Sequence, residues 1–418
     1  MSESKKRGPV WVGIDWGGES HAVAVVCETA EEIERFALPN SPAGFEELEG
    51  RLARYGEVRG IVVESTRHVL LLHLMAQAHP LYLINPKLSA AWRDTESLSG
   101  AKSDERDGLT LARGLALRHK TLEQVPPENP GVAHLALLCE KECGFIEQRT
   151  ALVQQLRSQL NLYYPAALDF FDDWTSPTAW DFLLRFPTAD KLSRAKEHTL
   201  IAFLKGHRLG ATANWKAKVK GRCAASDWPA HPQESCYVMH ATGLVKELKA
   251  VQATLKEFRP EIKKASEVLP QAELLSSLPG AGEKLAPRLT AMVSSSLAQQ
   301  GGLEALRGHS GVAPVTKQSG KRRQVHIRRM CNKHWRNTLH LFAWCSTRSS
   351  AWAKAFYQLR KAKGDSHSTA LRKLADKWLH IIMRMLETGE AYDEQRYLRV
   401  LKEKNSPTWR YLKDGACG

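Results

Sequence analysis

Apolar and polar positions alternate in two regimes along the chain. The first 125 residues carry short β-branched runs, Val10–Asp15, His21–Cys27, Gly60–Glu64 and Leu81–Ile84, bounded by Gly, Asn and Pro. Runs of this length and composition read as strands, several of them buried on both faces. Between them Pro42–Arg54 and Arg67–Ala78 have helical spacing. Ser103 is placed to N-cap a further helix carrying Asp104, Asp107, Leu111 and Leu115. Asn85-Pro86 stops the Leu81–Ile84 strand, and Gly17-Gly18 can turn an early hairpin. This order predicts an α/β domain with a partly antiparallel sheet over residues 1–125.

Pro126-Pro-Glu-Asn-Pro130 breaks the pattern, and a long helical period follows from His134 to Tyr163 through Leu135, Leu138, Phe145, Leu152, Leu156 and Leu160. A Trp/Phe-rich stretch, Asp169 to about Trp228, reads as helical and has no recognisable chemistry; Gly243–Glu267 is a charged helix. Two long helices flanking an insert are compatible with an antiparallel coiled coil, within or between subunits, and equally with a plain helical bundle. Residues 126–270 are therefore a helical region. From Leu274 to Ala291 the turn Leu278-Pro-Gly-Ala-Gly282 separates two helical stretches in the manner of a helix-hairpin-helix. Such a turn, at Gly280 and Gly282, offers backbone N–H groups to a phosphate at a helix N-terminus. Gly311–Arg323 reads as a loop, and helices from Lys333 to Leu386 complete a mostly helical domain over 271–418. The fold class is thus α/β plus α.

Charge changes this picture more than composition does. The chain has 418 residues and a net charge of +15. Residues 301–418 hold 24 Lys and Arg against 9 Asp and Glu, so all the excess lies there. From Ala305 to Gly364 no acid occurs against 14 basic residues. A one-signed segment of this length points to a polyanion, because phosphate neutralisation dominates nucleic-acid affinity. Lys317, Lys321, Arg322, Arg323, Arg328, Arg329, Lys333 and Arg336 are the candidate contacts. No apolar run is long enough to span a membrane, and the polar N-terminus lacks a signal-peptide pattern. The expectation is a bacterial-type cytoplasmic protein associated with the nucleoid. The eight cysteines include no Cys-x-x-Cys, and reduced thiols are expected.

Four carboxylates carry the candidate chemistry. Asp15 and Glu64 end buried strands, and Asp104 and Asp107 share one helix face. Hard oxygen ligands of this kind suit Mg²⁺ or Mn²⁺, whose natural substrate here is a phosphodiester. Ser319, in Gln318-Ser-Gly-Lys-Arg-Arg323, is flanked by a glycine that permits close approach and by cations able to hold a phosphate. In isolation it is most often a plain loop serine; activated, it is a nucleophile.

Val12-Gly-Ile-Asp15, Val63-Glu64, Asn85-Pro86, Lys102-Ser-Asp-Glu-Arg-Asp107 with Leu111-Ala112, Leu278-Pro-Gly-Ala-Gly282, Gly311-Val-Ala-Pro314 and Ser319-Gly-Lys321 occur in this order. In this the chain resembles the DEDD-type insertion-sequence transposases, the one-ten family of insertion sequences, over most of its length. The resemblance implies an RNase H-like (RuvC-like) N-terminal domain joined through a coiled coil to a C-terminal transposase domain. It implies that Asp15, Glu64, Asp104 and Asp107 are the metal-holding acids and Ser319 the nucleophile, forming a transient serine–DNA phosphodiester. It also implies a homo-oligomer, dimer or tetramer, acting on donor and target double-stranded DNA chosen by a structured non-coding guide RNA. Ser103 and Gly108 stand where the family motif usually has Thr and Ala; Gly108 in a first helical turn costs about 1 kcal/mol relative to Ala. Two readings compete with recombination. One is a metal-dependent nuclease or Holliday-junction resolvase with water as nucleophile, the other a non-catalytic nucleic-acid scaffold.

Overall fold

A computed structural model describes residues 8–64, 69–77, 79–96, 104–209, 232–320 and 322–415. The chain divides between Asn129 and Pro130 into two compact units. The first is mixed α/β and the second mostly helical. Among the described residues no helix is long and apolar enough to cross a membrane.

The first unit is built on one sheet. Strands β1 (Pro9–Asp15), β2 (Ser20–Cys27) and β3 (Glu32–Pro39) form an antiparallel meander. After α1 (Pro42–Leu52), strand β4 (Glu57–Glu64) pairs parallel to the other side of β1. After α2 (Val69–Ala76), β5 (Leu81–Ile84) pairs parallel to β4. Helices α3 (Pro86–Glu96) and α4 (Asp104–Arg118) follow, and β6 (Gln124–Val125) closes the edge. The order β3-β2-β1-β4-β5-β6 is compatible with the RNase H-like expectation.

Alternation along the strands sorts the side chains to two covered faces. Val10, Val12, Ile14, Ile61 and Val63 pack with Phe45, Leu48, Leu70 and Leu74 of α1 and α2. Trp11, Ala24, Val62, Tyr82 and Ile84 pack with Trp92, Leu111, Ala112 and Leu115 of α3 and α4.

Three glycines set how closely α3 and α4 approach. A Cβ on Gly13 would lie 2.3 Å from both the Gly108 carbonyl oxygen and the Ala112 nitrogen, so α4 rests directly on the β1 backbone. A Cβ on Gly108 would lie 2.9 Å from the Ala22 carbonyl oxygen. The intrinsic helix penalty of Gly108 is therefore accepted for a close helix–sheet contact. Gly114 makes room for the Trp92 ring of α3, which would meet a Cβ there at 2.1 Å.

Strand β3, the two-residue strand β6 and helix α3 were not evident in the hydrophobic pattern. Strand β3 puts Glu32, Glu34 and Arg35 on a sheet edge, so its apolar positions are diluted. Pro86 does end the β5 segment, but it also opens α3 at its first position, where Asn85 Oδ1 accepts from the Leu88 N–H at 3.0 Å. The predicted capping residue Ser103 lies outside the described residues.

In the second unit α5 (Pro130–Tyr163) and the helix Glu234–Glu267 run antiparallel within one chain. The Tyr163 and Tyr237 rings stack at 6.0 Å, Arg149 donates to Gln252 at 2.9 Å, and Phe145 meets Phe258 at 5.6 Å. The aromatic stretch between them folds as α6 (Pro177–Arg185), α7 (Ala189–Ser193) and α8 (Glu197–Gly206), making the long helix at Glu234 α9. Its Trp174, Trp180 and Phe182 are buried against Leu152, Leu156, Leu244 and Leu248 of the pair.

Helices α10 (Gln271–Ser276), α11 (Gly282–Val293) and α12 (Ser296–His309) lead to strands β7 (Val315–Ser319) and β8 (Arg322–His326). Then come α13 (Lys333–Ser349), α14 (Ala351–Ala362), α15 (His367–Thr388), α16 (Glu394–Glu403) and α17 (Pro407–Gly415). Trp352, Trp378, Phe342 and Leu289 centre their core. The segment 311–323, expected as a loop, contains most of a two-stranded hairpin. Its polar strands alternate too weakly in hydrophobicity to announce themselves.

One buried ion pair ties α5 to α11. Arg288 Nη2 donates to Glu142 Oε2 at 2.7 Å, with side chains 10% and 4% exposed. Burial drives the neighbouring Cys139 thiol up to about 12, so it stays a thiol. Glu142→Ala leaves a buried guanidinium uncompensated and is expected to cost about 3–5 kcal/mol. Glu142→Leu combined with Arg288→Leu should recover most of that loss, as measured by chemical denaturation; no recovery would mean that the pair is not what destabilises the single variant.

Candidate active site and nucleic-acid interface

The acids of the first unit are delivered by strand register. The β1–β4 ladder pairs Ile14 with Val63, so Asp15 and Glu64 follow side by side at the ends of adjacent parallel strands. By alternation Asp15 shares its face with Trp11 and Gly13, and Glu64 shares its face with Val62. Both belong to the face covered by α3 and α4. The Gly13–Gly108 contact seats the first turn of α4 over that same strand end, and Asp107, next to Gly108, is 4% exposed. Asp104 begins α4, one turn before Gly108, and its side chain lies outside the described set.

Helix α3 holds two of these acids. The Ser89 hydroxyl, buried, donates to Glu64 Oε1. One turn on, Arg93 Nη1 donates to Asp107 Oδ2 at 3.1 Å. The intervening Trp92 locks the helix against Gly114. Ser89 and Arg93 were missed by sequence reasoning because α3 itself was missed; their spacing of four would have been the signal.

A third addition is His21, 1% exposed, whose Nδ1 accepts from the Gly17 N–H at 3.2 Å. That bond organises the turn directly after Asp15. Burial pushes the His21 imidazole below its ordinary value, which keeps this ring nitrogen available as an acceptor.

The donor chemistry suits a hard divalent cation: carboxylate oxygens from two adjacent strand ends and from the first turn of α4. Among the described residues no three His, Cys, Asp or Glu side chains already group as a metal cluster. Glu64 and Asp107 are instead engaged by Ser89 and Arg93.

Ser319 belongs to the second unit. It ends β7, pairs with Arg322 across the hairpin, and is exposed. Gly320, the next residue, has φ +57°, the left-handed geometry that two-residue hairpin turns need. Lys321 lies outside the described residues, as do the side chains of Arg322 and Arg323. Lys317, Arg329 and Lys333 are exposed, while Arg328 and Arg336 are half-buried. Arg328 Nε reaches the Ala313 carbonyl at 3.4 Å.

The helix–turn–helix glycines differ from each other. At Gly280 (φ +83°) a Cβ would meet the Cys345 and Ser346 backbone at 2.8–2.9 Å, so close packing on α13 accounts for that residue. Gly282, at the start of α11, faces open space and is free to approach a ligand.

Comparisons with known proteins match both parts of the chain. A family model described as a transposase, of the DEDD type named for IS110, covers residues 12–165. A second, described as the transposase IS116/IS110/IS902 family, covers residues 272–358. The chain is 28% identical over 401 residues to the mini-circle putative transposase for IS117 of Streptomyces coelicolor, covering 93% of this chain and 96% of that protein. It is 26% identical to an uncharacterized 44.8 kDa protein of insertion element IS116 from Streptomyces clavuligerus, covering 92% and 96%. It is 24% identical to an uncharacterized 42 kDa protein of insertion element IS900 from Mycobacterium paratuberculosis, covering 92% and 97%.

Removing the α3 clamp tests this geometry. Arg93→Met leaves the buried Asp107 carboxylate without its guanidinium and is expected to lower stability by about 1–3 kcal/mol. A denaturation midpoint equal to that of the parent would show that Arg93 does not carry Asp107.

Proposed function

We propose a strand-exchange mechanism from one premise: the chain belongs to the IS110 family of insertion-sequence transposases. In this reading the chain cleaves and rejoins double-stranded DNA of donor and target through a covalent phosphoserine intermediate. The observation that carries the reading is the placement of Asp15 and Glu64 at adjacent strand ends, on the sheet face that α4 covers with Asp107, in a chain whose Ser319 stands exposed on a basic hairpin.

Asp15, Glu64, Asp104 and Asp107 would hold Mg²⁺ or Mn²⁺. The bound cation supplies charge stabilisation on the scissile phosphate and acidifies its ligands. The rest is the work of the chain's own groups. Ser319 Oγ attacks phosphorus as its proton departs, the bond from phosphorus to the deoxyribose oxygen breaks, and that oxygen takes up a proton. Attack of a second strand's hydroxyl then releases the serine. Lys317, Lys321, Arg322 and Arg323 hold the phosphate against the hairpin, where fixed cations stabilise the added negative charge. Arg93 and Ser89 act as positioning residues: their hydrogen bonds hold the Asp107 and Glu64 carboxylates in orientation. Guidance by a structured RNA and assembly as a homo-oligomer, dimer or tetramer, belong to the same reading and follow from the family resemblance.

The alternative, a resolvase using water, is separated by one variant. Ser319→Ala should abolish both strand exchange and any protein–DNA adduct while DNA binding persists. Strand exchange by that variant would remove the serine from the mechanism. Asp15→Asn and Glu64→Gln are each expected to lower the rate by at least about a hundredfold, with the fold retained by circular dichroism. Full activity in EDTA would overturn the cation's part.

A further inference from the structure

The C-terminal helices carry a second concentration of positive charge that the chemistry above does not use. On α13, Arg336 and His340 are one turn apart, and α15 contributes His367 and Arg372. The His340 Nε2 and the Arg372 Nε and Nη1 are buried and meet no hydrogen-bond partner among the described residues. Arg372 is half-buried, and leaving its Nε and Nη1 without an acceptor is costly, so such an arrangement points to an anion.

No carboxylate of the surrounding helices is available to serve as that anion. Asp376 is taken by Arg307 at 2.7 Å. Asp365 is held by Lys373 at 2.9 Å and by Arg360, and Glu387 pairs with Arg384 at 3.1 Å. The sequence from Ala305 to Gly364, which includes all of α13 and α14, contains no acid. Burial first, then the charges of Arg336, Arg372 and His367, push the His340 imidazole below its ordinary value.

The wall beside this cluster is ordered. Trp344, one turn beyond His340, meets the His367 ring at 5.2 Å and the Tyr357 ring at 5.7 Å. The Tyr357 hydroxyl lies 2.8 Å from His367 Nδ1, which fixes the imidazole against α14. A site of this kind is held by packing before any ligand arrives.

We propose that Arg336, His340 and Arg372 form a binding site for one backbone phosphate of a polynucleotide, distinct from the Ser319 hairpin. A phosphodiester offers two acceptor oxygens to the planar fork of Arg372, with a donor from His340 beside it. The polymer is favoured over a free phosphate ion because Arg336 and His340 belong to the long acid-free basic segment, where neighbouring phosphates would also be neutralised. The proposal rests on the chain acting on nucleic acid, and on none of the residues assigned to bond making.

The test uses the full chain with a short duplex DNA and with a structured RNA hairpin, titrated by fluorescence anisotropy over a range of salt. Arg372→Gln should weaken binding to at least one of them about tenfold. Its log–log salt slope should become shallower by about one. Arg372→Lys should keep most of that slope. Loss on the duplex alone identifies a DNA phosphate, and loss on the hairpin alone an RNA phosphate. If Arg372→Gln does not fold, Arg336→Gln gives the same reading. Parent affinity and parent slope on both probes, in folded variants, would overturn the site. Ser319→Ala is the separating control: strand exchange by that variant would remove the serine mechanism while leaving this binding result intact.

Discussion

The geometry of the first unit depends on a gap too narrow for a methyl group. Between β1 and α4 the backbone atoms of Gly13, Gly108 and Ala112 approach so closely that any Cβ on Gly13 would collide with main chain rather than with a movable side chain. Helix α4 can therefore take only one height above the sheet. That height brings the start of α4 over the end of β1, where Asp15 emerges beside Glu64. The glycines carry no chemistry, yet they decide where the carboxylates stand. The same principle recurs at Gly114, where the missing side chain admits Trp92 and so fixes the register of α3.

Burial then imposes its own requirement. A carboxylate taken from water must be paired, and α3 supplies a hydroxyl to Glu64 and a guanidinium to Asp107. The second unit repeats this logic at Glu142 and Arg288, where a desolvated pair joins the long α5 helix to the C-terminal core. It departs from that logic at Arg372, whose buried nitrogens lack such a partner among the described residues. The contrast is informative because it occurs within one fold. Glu142 and Arg288 form an ion pair with each other, whereas the proposed site around His340 is completed from outside the chain.

Much of this was legible in the sequence where periodicity was strong. The β-branched runs ending in Asp15 and Glu64 predicted their strands, and parallel pairing made them neighbours. The long helix α5 followed from its leucine spacing and the Gly243–Glu267 part of α9 from its charged helical pattern, although which helix each one faced did not. What escaped had physical reasons. Strand β3 lies at an edge and carries charge, α3 starts where Asn85-Pro86 gave only a stop signal, and the hairpin around Ser319 is almost wholly polar. Arg372 and His340 lie on different helices, and only tertiary packing brings them within electrostatic reach of each other. The glycine at 108 looked like a weakness of the helix because the carbonyl it avoids, at Ala22, is remote in sequence.

The hairpin bearing Ser319 has a consequence for restraint. From Thr316 to Gly320 every residue is exposed, as are Gln324, Val325, His326 and Ile327, so the ribbon has almost no core of its own. An isolated pair of strands is at best marginally stable in water. The serine is thus mounted on the element least able to fix its position unaided, and its alignment must be completed by whatever covers the ribbon. Under the proposed serine mechanism, this makes recognition a condition of reactivity: without a bound partner the hydroxyl remains an ordinary, weakly nucleophilic alcohol.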